Sequence, residues 1–404
     1  MWPALVAALI LGLAAVPIAG AKGASGTHKL VAWGWGATGQ LGDGSNSSSD
    51  VPAKVKLAKG VRVTQVAAGG YHTLAVTSTG AVLAWGYNSN GQLGDDSTTG
   101  SYIPVKVKLP KGTKVREVAA GAIHSLALTS TGAVYAWGYN ADGELGDGTT
   151  TGPQTCSSYP CSETPVKVKL PKGTKVTQIA AGGFQSLALT SKGAVLAWGE
   201  GADGELGDGS YSGSDVPVAV MLPKGTKVSQ IAAGAFFSLA LTSKGAVFAW
   251  GSNSNGQLGD GSTTETDLPV KVKLPKGTNV TEIAGGEYHS LAVTSSGRAL
   301  AWGSGDDGQL GDGNTDDHHL PVKVKLPKGT KLTEISGGSY FSVALTSTGA
   351  VLAWGFNADG ELGNAKTSQS DLPVKVKLPK GTAATAIATG AYAHHSLALL
   401  RRKR

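Results

Sequence analysis

Short runs in which aliphatic residues alternate with small or polar ones fill most of this chain, and nearly every run ends at glycine. One stretch shows the plan. Lys114 to Gly121 (KVREVAAG) reads as a first strand, its small residues suited to crowding at an axis, and His124 to Leu128 (HSLAL) as a second. Thr129 to Gly132 (TSTG) is a hairpin turn into a third strand, Ala133 to Gly138 (AVYAWG). A long polar loop then leads to Pro165 to Leu170 (PVKVKL), predicted as the fourth and outermost strand. Period-two alternation in runs this short argues for half-buried β-strands.

The unit repeats. The phrase A-W-G recurs at Trp33, Trp85, Trp137, Trp198, Trp250, Trp302 and Trp354, in steps of 52, 52, 61, 52, 52 and 52 residues. The phrase G-[QE]-L-G keeps step at Leu41, Leu93, Leu145, Leu206, Leu258, Leu310 and Leu362. A fixed period of this length, rich in short strands and glycine turns, marks propeller blades. Lys29 to Gly34 is a third strand without its first two, and the missing pair stands at the other end, Ala384 to Gly390 and Ser396 to Leu400. The predicted fold is therefore all-β, a seven-bladed β-propeller of four-stranded blades over residues 29–400, its last blade closed by strands from both termini. Such closure removes open sheet edges.

Composition adds a location and a charge. Residues 1–21 carry no charged side chain, Ala4 to Ile18 is an apolar run, and Ala19-Gly20-Ala21 is an A-x-A site before Lys22. This is the pattern of a signal peptide cut after Ala21, with 22–28 as a short linker, and it implies a secreted or extracytoplasmic protein. An uncleaved membrane anchor is the alternative, because the first residues lack the customary lysine or arginine; Gly12 and Pro17 interrupt a stretch only just long enough to span. No second hydrophobic segment follows, so the body is expected to be soluble and monomeric. Cys156 and Cys161, in a loop expected to be exposed, read as a disulfide in an exported protein. Closing so short a loop stabilises by about 2 kcal/mol at most.

The formal charge is +7, much of it in the recurring phrase PVKVKLPKGTKV. A lysine belt attracts nucleic acid or an anionic surface. In Val105-Lys106-Val107-Lys108-Leu109, however, lysines alternate with aliphatics as on an outer strand with one wet face, where they block edge-to-edge pairing. That reading is preferred, with no nucleic-acid partner. Arg401 to Arg404 is read as a solvated basic tail.

From Gly69 to Gly94 the residues run G-G-Y-H-T-L-A-V-T-S-T-G-A-V-L-A-W-G, then N-S-N-G-Q-L-G after one tyrosine. This order resembles the repeats of the regulator of chromosome condensation family, and the resemblance covers about Lys29 to Leu400. It implies a seven-bladed propeller, in agreement with the tryptophan count. The family includes a nucleotide exchange factor for a nuclear GTPase, ubiquitin-ligase modules and secreted inhibitors of β-lactamases. The resemblance thus implies a propeller face that grips another protein.

No G-x-S-x-G elbow, P-loop or H-E-x-x-H motif is present. His72, His124, His289 and His395 recur at one place in the repeat, which Gln185, Phe237 and Phe341 fill in other blades. A position that accepts all of these reads as packing at a strand entry rather than as a general base. Asn140-Ala141-Asp142-Gly143-Glu144 faintly suggests a calcium loop, but Asn or Asp before Gly is ordinary turn chemistry. Asp316-Asp317-His318-His319 has no supporting shell for a metal. No cofactor, metal or catalytic residue is assigned.

Two variable sets remain. The turn between the first and second strands carries Tyr71, Ile123, Phe184, Phe236, Tyr288, Tyr340 and Tyr392, all predicted on one face of the ring. Aromatic anchors clustered at a patch centre are typical of protein interfaces; the competing reading is that they plug gaps between blades. The loop before the outer strand carries Tyr102, Tyr159, Tyr211, His318, His319 and a nine-residue insertion with both cysteines. The expected function is an exported protein-binding scaffold, not an enzyme. The alternatives are exchange-factor action on a small GTPase, by family analogy, and a polysaccharide-directed enzyme on a propeller frame.

Overall fold

In the computed structural model, residues 29–403 are described; the expected signal peptide (1–21) and linker (22–28) lie outside them. The chain forms seven antiparallel sheets arranged as blades, with the inner strand of each nearest the axis. Blade 1 runs Val63–Ala68, His72–Thr77, Val82–Gly86 and Ser101–Lys106, and blades 2 to 6 follow in order. Blade 7 takes Thr382–Ala388 and His395–Arg402 from the end of the fold, then Lys29–Gly34 and Ser49–Lys54 from its start. Lys29 pairs with Leu400 and Gly34 with His395, without a register shift.

Two sequence boundaries move. The outer strands begin earlier than predicted and stop at the first lysine of the phrase: Ser101–Lys106 rather than Val105 onward, and Tyr159–Lys167 rather than Pro165 to Leu170. Proline is the reason. Having no N–H, it cannot donate to a ladder, so it reads as a strand start. Here it sits inside a bulge, as Pro104 does between the pairs Ala84–Val105 and Gly86–Ser101. At the other end, Arg401 and Arg402 are not tail: they extend the second strand of blade 7 and pair with Ala383 and Thr382.

The core consists of apolar layers between blades. Leu74, Val76, Val82 and Ala84 of blade 1 pack on Val115, Val118, Ala127 and Trp137 of blade 2. The layer across the chain ends has the same make-up, with Val31, Trp33, Ala398 and Leu400 against Phe341, Val343 and Leu345. All seven repeat tryptophans are fully buried. A buried indole N–H needs an acceptor, and each finds a carbonyl of the preceding blade's G-[QE]-L-G loop. Trp85 donates to Gln40 O at 2.8 Å, Trp137 to Gln92 O at 2.8 Å, and Trp33 closes the circle on Glu361 O at 2.8 Å.

Around the axis, inner strands are clasped by side chains. Gln65 accepts the N–H of Val118 and donates to its carbonyl, both at 3.0 Å, and Gln178 does the same to Ile231. Glu117, Glu282 and Glu334 occupy the equivalent place and accept from Ile179, Ile335 and Ile387. In blade 7 the place is Ala386, so that junction has no such clasp.

Burial pushes the Glu117 carboxyl up to about 7 and that of Glu334 to about 8, and raises Glu282 well above the usual range. A protonated carboxyl matches the glutamine amide, accepting through one oxygen and donating through the other. Because the folded values lie above the unfolded one, their contribution is fully present below about pH 4.5 and is lost as pH rises through about 8. Glu117→Gln with Glu334→Gln should therefore raise Tm by about 2 °C or more at pH 9 and change it little at pH 5. Thermal melts at the two pH values check this; an equal effect at both would contradict it.

Candidate partner-binding face

The turn between first and second strands is built the same way in every blade. In blade 1 the carbonyl of Tyr71 accepts the N–H of Tyr87, the residue after A-W-G, at 2.9 Å. The same bond recurs from Ile123, Phe184, Phe236, Tyr288 and Tyr340, at 2.9–3.1 Å. Antiparallel pairing therefore puts the turns on one face, as predicted, and the long loops on that same face. In blade 7 the carbonyl that makes this bond, to Trp35 at 2.8 Å, belongs to His394 and not to Tyr392. His394 is the seventh equivalent; Tyr392 lies in an extra Ala391-Tyr392 step that only this turn contains.

That step has a consequence. Turn N–H groups elsewhere bond to the next blade, as Gly70 does to Gly121 O at 3.1 Å, but Ala393 bonds back to Gly390 O at 2.7 Å. The looped-out Tyr392 reaches over the axis. Its Cβ lies beside Gly70 in blade 1, while its ring edge lies against Gly183 in blade 3 and its ring centre is 6.3 Å from Phe184 and 5.8 Å from Phe236. A Cβ at Gly183 would lie 2.8 Å from the Ala235 carbonyl oxygen and 2.9 Å from that ring, so glycine leaves room for both.

A second set of rings escaped the sequence reading although it directly follows A-W-G: Trp35, Tyr87, Tyr139 and Phe356. Together the two sets form a circuit. Tyr159, Tyr139, Phe184, Tyr392, Phe236, Tyr288, Tyr340, His394, Trp35, Tyr71 and Tyr87 touch in turn, with ring centres 5.6–6.4 Å apart. These separations fit offset and edge-to-face packing. The circuit opens only between Tyr87 and Tyr159, beside Ile123. Most members are half-buried and Tyr71 is 36% exposed, so the rings pack on each other and still offer one side to solvent.

Carboxylates rim the circuit. Tyr340 Oη donates to Glu287 at 3.2 Å, and burial with this carboxylate raises the phenol, keeping it protonated. Burial raises Glu200, with Asp142 and Asp203 adding to it. Asp142, Glu200, Asp215 and Tyr211 line a hollow of ≈ 440 Å³ between blades 2 and 3. The insertion adds a hairpin to blade 2, Gln154–Cys156 pairing with the start of Tyr159–Lys167, so that this sheet has five strands. Cys156 and Cys161 are joined in a disulfide and are buried, contrary to the exposed loop expected. The strand pair folds their side chains under while Tyr159 remains 52% exposed. Tyr102 and Tyr211 are exposed further out, and His318 pairs with Asp312 at 3.1 Å. Among the described residues no cluster has the make-up of a metal site.

The recurring histidines face hydroxyls, three of serine and one of threonine. His72 Nε2 is 2.8 Å from Ser125 Oγ, His124 3.1 Å from Ser186, His289 2.9 Å from Ser342, and His395 2.8 Å from Thr73. These resemble nucleophile–base pairs in distance alone. Ser125 donates its proton to Gln92 O at 2.8 Å, so the imidazole donates to the serine and cannot act as its base. All four histidines are fully buried, and burial lowers them to about 3 or 4. Each pair joins one blade to the next.

The chain matches the RCC1-like domain family over residues 29–398, and it belongs to that family. It is 32% identical over 345 residues to the ultraviolet-B receptor UVR8 of Arabidopsis thaliana, covering 85% of this chain and 76% of that one. It is 37% identical over 324 residues to the human E3 ubiquitin-protein ligase HERC2, covering 79% of this chain but 6% of that protein. Among solved structures, yeast RCC1 (Prp20) in its complex with Kap60 superposes with a TM-score of 0.82 at 26% identity, covering 94% of this chain and 90% of that one. Human WBSCR16 gives a TM-score of 0.81 at 26% identity, over 93% and 99% of the two chains.

The histidines make a prediction. Their folded values lie below the unfolded one near 6.5, so the stability they lend is present above that pH and is lost as pH falls toward 3. His124→Gln with His289→Gln, copying Gln185, should melt within a few degrees of the parent at pH 7. At pH 4.5 the variant should melt higher than the parent. An unchanged acid limb in the melting profile would contradict the assignment.

Proposed function

We propose that this propeller is an exported binding scaffold that holds another protein against its aromatic face. The observation that carries the reading is the ring circuit, with Tyr392 laid across the axis and one side of the rings open to solvent. Interlocked rings present large apolar area at little entropic cost, as binding hot spots do. The carboxylate rim around blades 2 to 5 suits a partner whose surface is basic around an apolar centre. The relatives agree with a protein partner: yeast Prp20 has binding properties toward Gsp1p and histones, and forms a complex with Kap60. Export is supported by the A-x-A site and by the disulfide.

The test uses the full chain as bait on extracytoplasmic material from its own source, with mass spectrometry of what is held. Phe184→Ala, Phe236→Ala and Tyr288→Ala together should weaken capture by about a hundredfold or more, since such anchors each contribute about 2 kcal/mol. Tyr71→Ala, at the most exposed of the turn rings, should weaken it without lowering Tm. The native protein should begin at Lys22. If these variants hold the partner as the parent does, and changes at Tyr102, Tyr159 and Tyr211 release it instead, the aromatic face is not the site.

A further inference from the structure

Charge is sorted between the two faces. Apart from Glu117, Glu282 and Glu334 on the inner strands, every Asp and Glu lies in the turns and long loops of the aromatic face or in the outer strands that leave them. The opposite face is built from the hairpins between second and third strands and from the connections between blades. Backbone bonds hold these together, as Ser78 N to Arg62 O at 2.8 Å and Val115 N to Gly80 O at 2.9 Å. None of these hairpins or connections contains a carboxylate or an aromatic residue.

What they do contain is lysine at the tip of every connection: Lys59, Lys111, Lys172, Lys224, Lys276, Lys328 and Lys380, all exposed. The glycine after each has positive φ, and a Cβ added there would meet nothing within 4 Å in any of the seven blades. The tips are the free points of a disc. A second lysine follows three residues on in several blades, as Lys114 and Lys331, and Lys192, Lys244 and Arg298 add charge from the hairpins. Lys29 enters the fold on this face, and Arg401 and Arg402 leave it there.

We propose that this basic face docks flat on an anionic lipid surface, leaving the aromatic face turned outward. The arrangement of the charge decides between polyanions. Seven tips around a circle meet a planar partner together, whereas a rod-like polymer such as duplex nucleic acid crosses the disc and meets only those beneath it. Single strands are held by bases stacked on aromatic side chains, and these loops have none. A sheet of acidic headgroups needs only many cations near one plane. The exposed lysines that end the outer strands, such as Lys106 and Lys271, are not the lysines of these tips.

The experiment floats the full chain with phosphatidylcholine vesicles, with and without phosphatidylserine. The chain should rise with the acidic vesicles, beyond any binding to the neutral ones, and the difference should vanish at high salt. Lys111→Glu, Lys172→Glu, Lys224→Glu and Lys328→Glu together should weaken it at least about a hundredfold. The same four changed to Gln should give a smaller loss, and both variants should melt like the parent. The control has equal net charge: Lys56→Glu, Lys169→Glu, Lys273→Glu and Lys325→Glu, whose ammonium groups lie beside loop glycines of the aromatic face. It should retain binding. Equal loss in tip and control variants would overturn the proposal, as would a chain that ignores acidic vesicles yet binds duplex DNA. Partner capture by the aromatic face should survive the tip variants, so either idea can fail alone.

Discussion

The indole N–H of each repeat tryptophan ends on the carbonyl of a loop in the preceding blade, and the rest of the ring follows from that bond. A buried indole without an acceptor costs free energy, so each tryptophan requires its neighbour's G-[QE]-L-G loop to be folded down between the sheets. The second-strand serines Ser125 and Ser342 donate to the same carbonyls as Trp137 and Trp354, and the histidines then reach those serines. Each blade is thereby finished by the next. Left open, a chain of such dependencies would leave one indole without its acceptor, and Trp33 on Glu361 O supplies the last link.

Once the frame is closed this way, the loops on its two faces are free to differ. On one face the turns carry rings that touch each other, under a rim of carboxylates. On the other, short glycine-supported tips carry cations and pack on nothing. The net charge of +7 conceals this separation. The frame repeats with little variation, so what differs from blade to blade is concentrated in the face residues and in the two places where the repeat is broken: the cysteine hairpin of blade 2 and the Ala391-Tyr392 step of blade 7.

Blade number and closure were legible because tryptophan spacing reports the period directly, and because the half-blades at the two ends complement each other. Strand limits were less so. Proline suggested a start where the outer strand in fact bulges, and alternation through Val105 to Leu109 continued past the last ladder pair at Lys106. The aromatic turns were legible as a set but not in their geometry. Tyr392 matched the other turns in type, while the step it belongs to shows only when His395 is paired with Gly34. Trp35, Tyr87, Tyr139 and Phe356 were overlooked because four rings in seven, next to an A-W-G phrase, look like part of the frame. Only their distances to Tyr71, Phe184 and Tyr340 join them to the face.

If closure governs the fold, the strand that begins the ring cannot fray like an ordinary end. Native-state hydrogen exchange, resolved strand by strand, tests this most directly. The amides of Lys29–Gly34 and of residues 395–400 should open with the same free energy as the interior third strand Val195–Gly199, all in the one global event. Fast exchange of the two terminal strands while blades 2 to 5 stay protected would contradict the account.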